Sequence, residues 1–248
     1  MSEQVRSQAQ VHTQVRIRMQ TQTPQQAPPA QPDEELGARQ RRHWQSTYAQ
    51  HPGMYGALPS ACGLAALEVF EQAGAQKVLE LGAGHGRDAL GFARAGLRVD
   101  ATDFSREALA QLARSAEAAG LSESVAAVEH DVRVPLPYPD AEFDAVYAHM
   151  LLCMALSTAE IHAVVAEVHR VLRPGGLFVY TVRHTEDAHF GSGVARGDDI
   201  FEHGGFAVHF FAREFVAELA RGWELRGVEP CEEGELPRRL WRVTQARR

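Results

Sequence analysis

From about residue 34 onward, short apolar runs alternate with stretches whose apolar positions recur at helical spacing. KVLELG, LRVDATD, SVAAVEHD, FDAVYAHM and GLFVYTVR have the length and composition of buried strands, and WELRGVEP and a run near LWRVTQ follow towards the end. Between them lie amphipathic segments. SREALAQLARSAEAAG opens on a capping Ser105 and stops at glycine, and TAEIHAVVAEVHRVL is stopped by Arg-Pro-Gly-Gly. ELGARQRRHWQSTYAQ predicts a helix with Trp44 and Tyr48 on one face. Residues 59–73 predict a second helix, closed by Gly74, and residues 86–95 a third that ends at Gly96. Residues 184–209 carry neither period and read as an irregular insert. Strands alternating with helices of this length predict an α/β fold, a doubly wound parallel sheet covered on both faces.

Residues 1–35 differ from the rest. Glutamine recurs through them and a proline-rich stretch, Pro24 to Pro32, follows, a composition too polar to offset ordering entropy, so this tail is expected to be disordered. The remaining 36–248 form the expected folded domain. No apolar run approaches the ~20 residues of a membrane span, and MSEQVRSQAQ has no apolar leader core, which predicts a cytoplasmic protein. The 248 residues carry 25 Lys+Arg against 32 Asp+Glu, a net −7 that argues against nucleic acid as partner. A single lysine, Lys77, removes Schiff-base lysine chemistry, and no Gly-Lys-Ser/Thr phosphate loop is present. Cys62, Cys153 and Cys231 lie far apart in sequence without a Cys-x-x-Cys, which fits a reducing compartment.

Glu80-Leu81-Gly82-Ala83-Gly84-His85-Gly86-Arg87 is a glycine-rich turn between an apolar strand and a helix, where backbone N–H groups can face a ligand. A dinucleotide loop needs Gly or Ala at position 87, which is arginine. The acidic Glu80 two places before the first glycine suits a ligand carrying an ammonium better than a diphosphate. About twenty residues on, Asp103 ends the second strand, as either a ribose ligand or a helix-capping acid. His130-Asp131-Val132 marks the tip of the third strand, where a carboxylate can accept from an adenine amine.

VLELGAGHGRDAL, VDATDFS, EHDV, FDAVYAHMLL and VLRPGGLFVYTV, taken in order, resemble the successive motifs of the class I S-adenosylmethionine-dependent methyltransferases over roughly residues 40–230. The resemblance implies a Rossmann-like seven-stranded sheet of order 3-2-1-4-5-7-6 with strand seven antiparallel. It implies S-adenosyl-L-methionine as cofactor, with Gly82, Ala83, Gly84 and Gly86 around the methionine moiety and Glu80 near its amino group. Asp103 and Phe104 would meet the ribose side, Asp131 and Val132 the adenine, and Ala148 the sulfonium side. Residues 36–56 would be an N-terminal lid helix and 184–209 an insert over the active site. That insert resembles the small-molecule branch related to the tellurite-resistance and thiopurine enzymes, which points to a small-molecule acceptor.

Methyl transfer from a sulfonium is an in-line displacement that demands alignment and water exclusion, and a base only for a protonated acceptor. His149, just past strand four, is the leading candidate base, with His184 at the tip of strand five second; each could equally hold a loop. Trp44, Tyr48 and Tyr55 could wall an apolar or cationic acceptor or simply pack the lid, and Arg183 could pair with an anionic one. The spacings of His184, His189, His203 and His209 match no ligand pattern, so no metal is expected. A methyltransferase of RNA or protein and a nicotinamide-dependent oxidoreductase stand as alternative activities. The acceptor atom and the oligomeric state are not specified by these features.

Overall fold

The structure, a computed structural model, describes residues 33–234 and 238–248. The tail expected over 1–35 therefore lies almost wholly outside the described residues. In chain order the elements are α1 (Asp33–Gln50), α2 (Ala61–Gln72), β1 (Lys77–Leu81), α3 (Arg87–Arg94), β2 (Arg98–Asp103), α4 (Arg106–Ala118) and β3 (Val125–Glu129). They continue with β4 (Phe143–His149), α5 (Thr158–Val171), β5 (Leu172–Arg183), β6 (Val194–Gly197), β7 (Ile200–His203) and β8 (Phe206–His209). The last are α6 (Arg213–Leu219), β9 (Trp223–Glu233) and β10 (Arg238–Arg247).

Seven strands form the main sheet in the order β3-β2-β1-β4-β5-β10-β9, with β10 antiparallel to both its neighbours. With β6 to β8 set aside this is the expected 3-2-1-4-5-7-6 order. Period-two alternation feeds two cores. Leu79, Leu81, Val146, Ala148, Phe178 and Tyr180 pack on one face with α5, while Val78, Ala145, Tyr147, Leu177 and Val179 pack on the other with α2 and α3.

Ser105 caps α4 as its position in the sequence predicts, its Oγ accepting the Ala108 N–H at 3.2 Å, and α5 opens on a complete capping box of Ser157 with Glu160, which was not among the predicted caps. The lid helix is shorter than expected, since α1 ends at Gln50 and turns follow it. Strand five is longer, with Leu172 already paired to Phe143 ahead of the Arg-Pro-Gly-Gly turn.

The insert is not irregular. β6, β7 and β8 form an antiparallel three-stranded meander, whose short runs and paired glycines hid the period. It is tied to α1 by Arg39–Glu202 at 2.9 Å, by Gln40 Nε2 donating to Gly205 O at 2.8 Å, and by Trp44 edge-on to Phe206 at 4.9 Å. α1 is in turn held to α4, where Gln111 Nε2 donates to Tyr48 O at 2.9 Å. Helix and meander together roof the carboxyl ends of the strands.

Two glycines separate backbone strain from packing. Gly96 and Gly86 both have positive φ, +93° and +85°, but an added carbon at Gly96 meets open space, whereas at Gly86 it collides with Leu112 of α4. Gly96→Ala is expected to cost about 1 kcal/mol through its left-handed backbone. Gly86→Ala should cost about 2–4 kcal/mol, because overpacking adds to the same strain. Urea unfolding of the two variants checks this, and equal losses would show that Leu112 gives way.

Candidate active site

A cavity of about 420 Å³ lies over the carboxyl ends of the strands, at the point between β1 and β4 where the order of connection reverses. Glu80, Gly82, Ala83, Gly84, Asp103, Phe104, Trp44, Tyr48, Tyr55, His149 and Arg183 all line it. These eleven sequence-predicted residues come from distant parts of the chain, and the fold brings them together.

The glycine turn is gripped from β2. Asp103 accepts the Gly84 N–H on one oxygen and the Ser105 N–H on the other, both at 2.8 Å. Burial raises this carboxyl to about 6 against those lowering bonds. Gly84 adopts φ +56°, and a side-chain carbon there would run into the Tyr48 hydroxyl. At Gly82 (φ +68°) it would stand 2.9 Å from Leu151 Cδ1. Glycine at both positions thus lets Tyr48 and Leu151, which also line the cavity, lie directly on the turn.

Glu80 is 3% exposed, and its Oε2 has no hydrogen-bond partner among the described residues. Burial first, and then Asp88 nearby, pushes its carboxyl well above the ordinary range. A buried acceptor atom without a donor beside a glycine cradle fits a ligand that brings a cationic donor. The ammonium of a methionine moiety has that chemistry.

On the other side of the cavity His149 ends β4. Its ring stacks on Tyr147 at 6.2 Å, Thr181 Oγ1 lies 2.8 Å from Nδ1, and Glu233 Oε2 lies 2.5 Å from Nε2. Thr181 Oγ1 also accepts the Met150 N–H, and the Arg87 guanidinium lies 3.2 Å from Nε2, so that nitrogen faces both Glu233 and Arg87. Arg87 bonds the other Glu233 oxygen and lies over the Tyr55 ring at 5.4 Å. Burial alone would raise the Glu233 carboxyl, but the His149 hydrogen bond and the Arg87 guanidinium outweigh it and hold it at about 2. Behind Glu233, the thiols of Cys62 and Cys231 touch at 3.1 Å and pin β9 to α2, so cysteines remote in sequence are neighbours in space.

Five predicted residues do not reach the cavity wall. Gly86 caps α3, its bare face turned to Leu112. Ala148 is fully buried in the core, and Val132 packs against the same core. Asp131 is held by Arg133 at 3.3 Å and Arg41 at 3.4 Å. His184 is 4% exposed, stacks on Trp241 at 4.2 Å and accepts the Glu186 N–H, so the structure makes it a packing residue and not a base over the cavity. His189 and His203 line the cavity while His209 is buried against Leu156 O. Among the described residues no three His, Cys, Asp or Glu side chains are grouped to hold a metal.

Sequence reasoning missed Glu233, Arg238 and the apolar wall of Met150, Met154, Phe201 and Phe210. Glu233 stands 84 positions from the histidine it binds, and no local pattern announces such a pair. The His-Phe-Phe run before α6 was the available signal for the wall.

Residues 78–176 match the methyltransferase domain family. Among curated relatives, an uncharacterised methyltransferase of Synechocystis sp. (strain PCC 6803) is 31% identical over 109 residues, 44% of this chain and 48% of that one. A sterol 24-C-methyltransferase of Gibberella zeae is 33% identical over 103 residues, 41% of this chain and 26% of that one. The matches thus span less than half the length of these relatives. Among solved structures, the 1,6-didemethyltoxoflavin-N1-methyltransferase of Burkholderia thailandensis superposes with a TM-score of 0.69 at 23% identity, covering 89% of this chain and 92% of that one. The described residues contain no helix long and apolar enough to cross a membrane. The ordered motifs, the strand order and the matched domain agree, and over residues 78–176 the chain resembles the class I S-adenosylmethionine-dependent methyltransferases.

Proposed function

We propose that this protein transfers a methyl group from S-adenosylmethionine to a small-molecule acceptor. The observation that carries the reading is the buried Glu80 Oε2, without a hydrogen-bond partner among the described residues, beside the Gly82–Gly84 cradle. Glu80 and the turn would hold the methionine end, and Asp103 the ribose hydroxyls. When bound, the cofactor supplies a methyl group on a sulfonium, already activated for displacement. The chain's own task is then to seat the acceptor, align it and exclude water.

The roof supports a small acceptor. α1 and the meander close over the cavity, leaving a volume within the range of small-molecule pockets. The solved structure described above, a 1,6-didemethyltoxoflavin-N1-methyltransferase, is consistent with this reading. A nicotinamide reading is disfavoured by the pairing of Arg87 with Glu233 and by the buried acid at Glu80, neither of which suits a diphosphate. For an acceptor that must lose a proton, His149 is the proposed base, with the Glu233 carboxylate beside its Nε2 placed to stabilise the imidazolium that would form.

Calorimetric titration with S-adenosylhomocysteine tests the reading, with micromolar binding expected; no binding in that range would overturn it. A ribose hydroxyl donating to Asp103 favours the ionised carboxylate, so below a pKa of about 6 binding must expel a proton. Affinity is therefore expected to fall as pH drops through about 6. Asp103→Asn should bind about tenfold more weakly and show no such slope. In the free protein the raised pKa works the other way: ionising Asp103 costs stability as pH rises from about 4 to about 6.

Glu233 has the opposite sign. Its depressed pKa contributes stability that is complete above about pH 4.5 and is lost as pH falls towards about 2. The melting temperature of Glu233→Gln should lie below that of the wild type at neutral pH, and the gap should close towards pH 2. A gap constant with pH would show that the pair adds no such stabilisation.

A further inference from the structure

Charge is partitioned across the cavity. Glu80 and Asp103, at the ends of β1 and β2, and Asp88 on α3 face it from the cradle side. At the other end of the wall stand three guanidiniums, Arg87, Arg183 at the end of β5 and Arg238 at the start of β10, against the single carboxylate of Glu233. Arg87 is neutralised by Glu233. Arg183, 7% exposed, is braced by Asp187 through Nε–Oδ2 at 3.1 Å and NH2–Oδ1 at 2.5 Å, and its guanidinium lies 5.1 Å from the Phe210 ring centre.

Asp187 does not line the cavity, and its oxygens also accept the N–H groups of His189 and Arg239 at 2.8 Å. It fixes Arg183 from behind. Arg238 lines the cavity as well. With Arg87 paired to Glu233 and Arg183 to Asp187, Arg238 is the guanidinium of the lining left without an ion-pair partner among the described residues. Between the two charged ends the wall is apolar and aromatic, with Trp44, Met150, Met154, Phe201 and Phe206. Such a wall takes a flat ring more readily than a flexible polar chain.

We propose that the methyl acceptor is a planar organic anion, its ring held by the apolar wall and its acidic group seated between Arg183 and Arg238. This rests on the reading of the cradle side as the cofactor end, and it narrows the acceptor to aromatic or heteroaromatic acids. A guanidinium supplies planar, paired donors that match a carboxylate or another oxyanion. The sulfonium end of the cofactor and the anionic acceptor would then approach from electrostatically matched sides.

The test needs no knowledge of the true acceptor. The full-length protein is first titrated with S-adenosylhomocysteine, and the loaded protein is then titrated with 1-anilinonaphthalene-8-sulfonate and its uncharged counterpart N-phenyl-1-naphthylamine. The anionic probe is expected to bind about tenfold tighter than the neutral one, and to weaken about tenfold in Arg238→Gln while the neutral probe does not change. In competition, 2-naphthoate should displace the sulfonate probe and 2-naphthamide should not. Equal affinities of the two probes, or an anionic probe indifferent to Arg238→Gln, would overturn the anionic acceptor with the cofactor reading intact. Failure of the wild type to bind S-adenosylhomocysteine would overturn the cofactor reading and this proposal with it. Arg238 is only half-buried and without an ion-pair partner among the described residues, so its replacement tests recognition and not folding.

Discussion

Everything in the site depends on the Asp103 carboxylate holding the glycine turn. One buried group accepts from Gly84 in the β1–α3 turn and from Ser105 at the start of α4, and so fixes the cradle relative to β2 and α4. Charge-assisted bonds of this kind contribute on the order of 1.5–3 kcal/mol each. Burial nevertheless wins over them, since the pKa rises. The carboxylate is thus held in place while still short of the donors that would fully satisfy its charge. A ligand's hydroxyls can provide them at a position the fold has already prepared.

The roof follows from the same anchor. Ser105 Oγ, beside the gripped backbone, donates to Gln45 of α1 at 2.9 Å, and Tyr48 of the same helix lies on Gly84. α1 then carries the meander through Arg39, Gln40 and Trp44. Cradle, helix and meander thus form a contiguous chain of contacts from the glycine turn to the residues that cover the cavity. This is also why Tyr48, one of the aromatic residues proposed from sequence for the acceptor, belongs to the cradle. Burial and the nearby Asp103 raise its phenol well above the usual value, so it stays protonated against the turn.

What was legible in the sequence was what is local. The strand runs, the Ser105 cap and the glycine stops announce themselves within a few residues, and the order of the motifs carried the sheet. Glu80, Gly82, Gly84 and Asp103 were readable because strand-end positions in a parallel sheet converge on one edge. The meander was not, because its strands are only four residues long, too short to show alternation. His184 failed for a similar reason. A strand-tip position fixes where a side chain starts, but the stacking partner that turns it aside, Trp241, lies on a strand paired much later in the chain.

Glu233 marks the harder limit. It reaches His149 only because β9 is the outer strand of a hairpin whose partner, β10, runs antiparallel beside β5. The hairpin brings the end of β9 and the start of β10 to the carboxyl ends of β4 and β5, which is where an acceptor would sit. The antiparallel strand thus does more than close the sheet. It is the element that delivers both Glu233 and Arg238 to the cavity, one neutralised by Arg87 and the other without an ion-pair partner among the described residues. In this chain the parallel strands β1 and β2 carry the cradle end of the cavity, and the hairpin of β9 and β10 carries Glu233 and Arg238 to its other end.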